Sequence, residues 1–144
     1  MGARKTGLSI FSALALMSIV GLSASTLAHA AERSLSDVMK EMGDKFGAVA
    51  KQSADTSMNA SSADLTSQVR SLVKESMNMT PETITAKPET EQRGLKVTYD
   101  DLLGQLYSET AKLEAAFLTG KADQISGELI KIQAIRKQGH VLFK

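Results

Sequence analysis

With 144 residues, 17 Lys+Arg against 16 Asp+Glu and a net charge of +1, the chain is near electrostatic balance and long enough for one domain with one core. It has no cysteine, which excludes disulfides, thiolate nucleophiles, Cys-ligated clusters and covalent cofactor attachment through thioethers. Packing alone must hold it together.

Residues 1–30 open with Arg4 and Lys5, run through an apolar stretch from Leu8 to Val20 and close on Ala28-His29-Ala30, with no acidic residue before Glu32. A basic start, a short apolar run and a small-x-small close predict a secretory signal peptide rather than a spanning helix, which needs about 20 apolar residues. The mature chain then spans residues 31–144. Taking Arg4 and Lys5 away leaves 15 basic against 16 acidic residues, a net −1. No basic surplus remains to neutralise phosphates, so nucleic-acid binding is not expected. Nor is a membrane contact, once the leader is gone.

Four stretches with helical periodicity follow, separated by turn signals. The first, from about Leu35 to Gln52, aligns Leu35, Met39, Met42, Phe46 and Val49, with Ser34 and Asp37 as a capping-box-like start. The polar run Ser53 to Ala60 reads as a loop. The second, from about Ala63 to Met79, opens at Ser61 with Asp64 and buries Leu65, Val69, Leu72, Val73 and Met79. Thr80 to Thr90 carries both prolines, Pro81 and Pro88, and reads as the longest connection. The third, from about Glu91 to Leu118, stripes Leu95, Tyr99, Leu102, Leu103, Leu106, Leu113 and Phe117, with Gly120 as a left-handed cap. The fourth, from about Ala122 to Leu142, places Ile125, Leu129, Ile132, Arg136, His140 and Phe143 on one face.

Four such stripes predict an all-α protein, an antiparallel up-down-up-down four-helix bundle. That topology gathers Leu35, Met39, Met42, Ser76, Met79, Leu95, Tyr99, Arg136, His140 and Phe143 at one end. His29 leaves with the leader, so His140 is the one histidine of the mature chain, and the stripe turns it inward. At about 1.5 Å rise per residue, Met39 lies about 6 Å from Leu35 and His140 about 4.5 Å from Phe143, which puts them at similar depth on neighbouring helices.

A lone inward histidine is more often a hydrogen-bonded core residue than a ligand, and a methionine on a helix stripe is more often plain packing. Together, however, an imidazole and a thioether facing each other across an apolar pocket form a pair that haem iron accepts. Soft thioethers with an imidazole also suit Cu(I), and Met39, Met42, Met79 and His140 converge on the same end. No nucleophile–base pair, carboxylate constellation or phosphate-binding loop can be assembled from the stripes, so an enzyme is not expected.

Leu35-Ser36-Asp37-Val38-Met39, Thr80-Pro81, Tyr99-Asp100-Asp101-Leu102-Leu103-Gly104-Gln105 and Gly120-Lys121 leading to Arg136 and His140 resemble the soluble cytochrome b562 family over essentially the whole mature chain. The resemblance implies a periplasmic b-type cytochrome that holds one non-covalent haem b per chain for single-electron transfer. Met39 and His140 match the family's axial ligands, Arg136 its arginine four residues before the histidine, and Tyr99 an aromatic of the haem pocket. Arg136 would then pair with a propionate rather than lie along the groove with its head in water. Met42, one turn from Met39, becomes pocket wall. Two positions depart from the family: Gly139 stands where an aromatic commonly precedes the histidine, and Leu95 stands at a second aromatic pocket position. Those departures are what a cofactor-free exported interaction bundle would show. The chain names no redox partner, and a monomer is expected.

Overall fold

The computed structural model describes residues 33–144; the leader expected at residues 1–30 lies outside them. Ser34 begins the first helix, α1 (Leu35–Gln52), by accepting the Asp37 N–H on its side chain at 3.1 Å. Asp37 in the first turn and Lys51 in the last complement the helix dipole. Its buried face is Val38, Met42, Phe46 and Val49. Leu35 and Met39, expected on the centre of that face, are half-buried along its edge.

The expected first loop is shorter than read. Asp55 caps a 3-10 turn, Thr56–Met58, by accepting from the Ser57 N–H, and the turn runs directly into α2 (Asn59–Ser76). The Ser-rich start of α2 is therefore helical and partly buried. Ser62 donates to Gln52 and the Thr66 hydroxyl to the Ser62 carbonyl at 2.7 Å, so these small polar groups go inside satisfied. The connection containing both prolines also holds a one-turn helix, α3 (Glu82–Thr85), which drives Ile84 into the core.

The longest helix, α4 (Glu89–Leu118), buries Tyr99, Leu102, Leu103, Leu106, Leu113 and Phe117 as its stripe predicts, but leaves Leu95 only half-buried. It ends as expected at Gly120, whose φ of 65° is left-handed. The Gly120 N–H reaches the Phe117 carbonyl and the Lys121 N–H the Ala116 carbonyl, a Schellman pairing that reverses the chain into α5 (Ala122–Phe143).

Side-chain links give the helix directions. Gln52 meets Ser62 and Arg33 meets Glu75 between α1 and α2; Tyr99 meets Ser76 and Arg70 meets Glu114 between α2 and α4. Between α4 and α5, Tyr99 meets Phe143 and Glu109 meets Lys131. Each adjacent pair is antiparallel, which makes the described residues the expected up-down-up-down bundle with α3 as an added turn. Three seams, α1–α2, α2–α4 and α4–α5, are closely packed. The fourth, between α1 and α5, is not, and the bundle stands open along it. None of the described helices is long and apolar enough to cross a membrane.

Candidate functional site

The open seam is a cleft of about 780 Å³ at the end of the bundle where α1 begins and α5 ends. This lies within the range of about 300–1,000 Å³ common for cofactor sites. Leu35, Met39, Met42 and Gly43 form the α1 wall, and Ile135, Arg136, Gly139, His140 and Phe143 the α5 wall. Leu102, Leu103, Leu106 and Tyr99 of α4 make the floor, and Thr80 to Thr83 close the rim. Thr83 donates to the Phe143 carbonyl at 3.3 Å, which ties that rim to the end of α5.

Tyr99 is 3% exposed, and its hydroxyl donates to the Ser76 carbonyl at 3.2 Å, using an acceptor at the end of α2. Burial first, then the charge of Asp100, pushes this phenol up to about 12, so it stays a neutral donor. The ring meets Phe143 edge-on at 5.4 Å between centroids. Arg136 spans the mouth. Its guanidinium lies 4.8 Å over the Phe46 ring and donates to Gln133, while burial lowers its pKa. This cation is held against an aromatic face with no carboxylate partner among the described residues.

Five of the six side chains expected at the site line this one cleft: Met39, His140, Arg136, Tyr99 and Met42. Leu95 does not line it; it packs against the core higher on α4, and the floor is made by Tyr99 and the three leucines instead. His140 is also more exposed than its stripe implied, because α1 stands back from α5 and leaves the wall that carries it open to solvent. Burial, then the charges of Lys144 and Arg136, holds its imidazole below the usual 6.5. A folded chain that binds this proton less readily than the unfolded chain gains stability above pH 6.5 and loses it as pH falls through the lower folded value. In the protein without ligand, the His140 NMR titration should therefore fall below 6.5, and Lys144→Ala should move it upward; an unmoved midpoint would refute the charge contribution.

Gly43 and Ile135 were missed by stripe counting, since glycine carries no hydropathy signal and Ile135 lies beside the stripe, and Gly139 was noticed only through the family resemblance. A Cβ at Gly43 would meet only the Arg136 guanidinium, at 3.7 Å, and one at Gly139 would meet nothing within 4 Å. Neither glycine is required by a left-handed backbone. Gly139→Ala should thus stabilise the protein by up to about 1 kcal/mol in urea unfolding, the ordinary cost of a helical glycine. A loss of stability would mean that position 139 is packed more tightly.

Among the described residues, no group of three His, Cys, Asp or Glu side chains forms that could hold a metal ion. The donors the cleft offers are one imidazole and two thioethers on opposite walls, above an apolar floor and below a lone guanidinium. Such a slot fits a flat, largely apolar macrocycle with an acidic edge and a metal that accepts nitrogen and sulfur. The class is a helical-bundle protein with one open cleft between its first and last helices. A family model for cytochrome b562 matches residues 34–144, and the chain belongs to the cytochrome b562 family, whose members are b-type, haem-binding electron carriers. No curated protein and no solved structure matches the chain.

Proposed function

We propose that this protein is a periplasmic electron carrier that holds one haem b in the α1–α5 cleft, with Met39 and His140 as axial ligands. The observation that carries the reading is the open seam itself: three seams of the bundle close and the fourth does not, and the two residues that match the family's ligands stand on its opposite walls. Bound haem would supply an iron that exchanges one electron, and methionine–histidine ligation raises its reduction potential.

The chain's own residues do the rest. Leu102, Leu103 and Leu106 give the macrocycle an apolar bed, and Tyr99, fixed by Ser76 and Phe143, keeps that bed rigid. Arg136, which lies over Phe46 in the structure, would hold a propionate, a charge-assisted pairing that its planar fork suits. With both axial positions filled by protein, electron transfer is favoured over oxygen or substrate chemistry. Export rests on the leader pattern of residues 1–30.

Mature protein titrated with haemin and then reduced should give the sharp visible bands of six-coordinate low-spin haem at one equivalent. If that spectrum is absent while Cu(I) binds stoichiometrically, the cleft is a thioether–imidazole copper site instead.

A further inference from the structure

A second, smaller hollow of about 330 Å³ adjoins the cleft along α5, lined by Gln133, Arg136, Lys137, His140 and Val141. Arg136 and His140 line both hollows. A molecule seated in the outer one therefore touches side chains that also face the cleft. We propose that this outer hollow is the docking face for an electron-transfer partner that presents an acidic patch.

Three observations carry the chemistry of that partner. The first is local charge: Arg136 and Lys137 frame the hollow and Lys144 lies one turn beyond Val141, none of the three in an ion pair among the described residues, and Lys137 and Lys144 keep their charge free when Arg136 meets a propionate. By contrast, Lys40 and Lys45 across the cleft are paired with Asp44 and Glu41. No carboxylate side chain lines the outer hollow, and Glu82 lies on the cleft rim instead. Of the cations among the described residues that form no ion pair, Arg136, Lys137 and Lys144 lie in or beside the hollow, whereas Lys51, Lys74, Lys87, Arg93 and Lys121 line neither hollow.

The second is the apolar centre. Val141 is 77% exposed, the most exposed of the large hydrophobic side chains, and stands among these cations. A small apolar contact ringed by charge suits a short-lived encounter, in which electrostatics set the on-rate and little area is buried. The third is continuity: the hollow shares Arg136 and His140 with the cleft. As an electron entry point the face rests on the haem reading above; as an acidic-patch receptor it rests only on the charge and shape of this hollow.

The test uses the protein as purified, with its visible spectrum recorded first, and a fluorescently labelled hexaglutamate peptide as the probe. The peptide should bind at about 0.01 M salt and weaken by at least about 10-fold at about 0.15 M, as the Debye length shrinks from about 30 Å to about 8 Å. Lys137→Glu should abolish binding, Lys137→Arg should retain it, and Lys51→Glu, at the opposite end of α1, should leave it unchanged. Equal losses in Lys137→Glu and Lys51→Glu would overturn the proposal, as would binding indifferent to Lys137. In the haem-loaded protein, Lys137→Glu should slow oxidation by ferricyanide by about 10-fold or less and speed oxidation by a cationic cobalt complex, with the low-spin bands unaltered. Peptide binding without low-spin bands would sink the haem reading and leave the docking face standing; low-spin bands without peptide binding would do the reverse.

Discussion

Replacing His140 by alanine should remove the low-spin spectrum altogether and weaken haem binding by more than about 100-fold. That bound follows from outer-shell partners alone, whose loss commonly costs about 10–100-fold in metal affinity; removing a ligand costs more. His140 is the one imidazole among the described residues, and the lysine nitrogens of the cleft, on Lys40 and Lys144, are ammonium groups that must lose a proton before they could bind iron. Met39→Ala should act differently. The thioether is the weaker donor, so haem should remain on His140 but turn high-spin, with a lower reduction potential.

Met42 is the control for register. It lines the same cleft one turn deeper but is 4% exposed and part of the core cluster, whereas Met39 is half-buried at the wall's edge. Met42→Leu conserves volume and should keep the low-spin bands at a stability cost below about 1.5 kcal/mol. Loss of the bands in Met42→Leu but not in Met39→Leu would place the ligand one turn along α1.

Much of this site was legible because helical periodicity and antiparallel topology are both strong signals. The α4 stripe from Tyr99 to Phe117 is buried as written, and chain direction alone brings residue 39 level with residue 140. What stripes do not carry is the distance between helices. Nothing in the periodicity of α1 or α5 says that their seam stays open, and it is the open seam that exposes His140 and makes a cleft rather than a packed core. Leu95 was assigned to the site by family position, and the structure puts it against the core instead. Ile84 was hidden by its flanking prolines: Pro81 and Pro88 signal a connection, but proline also starts helices, and Pro81 precedes a turn that buries Ile84 to 1% exposure. The start of α2 was set too late for a related reason, since serine and threonine favour loops until their hydroxyls find helix carbonyls, as Thr66 does.

The open seam also sets where the bundle should fail first. Ile132→Ala should cost about 2–5 kcal/mol, a large share of the roughly 5–15 kcal/mol that holds a domain together. Ile132 is fully buried, and Ile125 is the only other buried residue of α5. Because α5 is packed closely on α4 and not on α1, it has one seam to lose where α2 and α4 each have two. The expected signature is therefore local: amide exchange should rise throughout α5 while α1, α2 and α4 stay protected. Uniform exchange across all four helices, or a loss below about 1 kcal/mol, would show that α5 is held by something other than this seam. Ile132 lies about 12 Å along the helix from His140 and lines no part of the cleft, yet the variant should also bind haem more weakly. Affinity falls in proportion to the fraction of molecules whose α5 is docked, so the defect should appear in apparent Kd with normal low-spin bands once bound. Excess haemin at about 1,000 times Kd should in turn restore about 4 kcal/mol of stability. That reciprocity separates a residue that positions the ligand helix from one that touches the ligand, since His140→Ala would gain no such rescue.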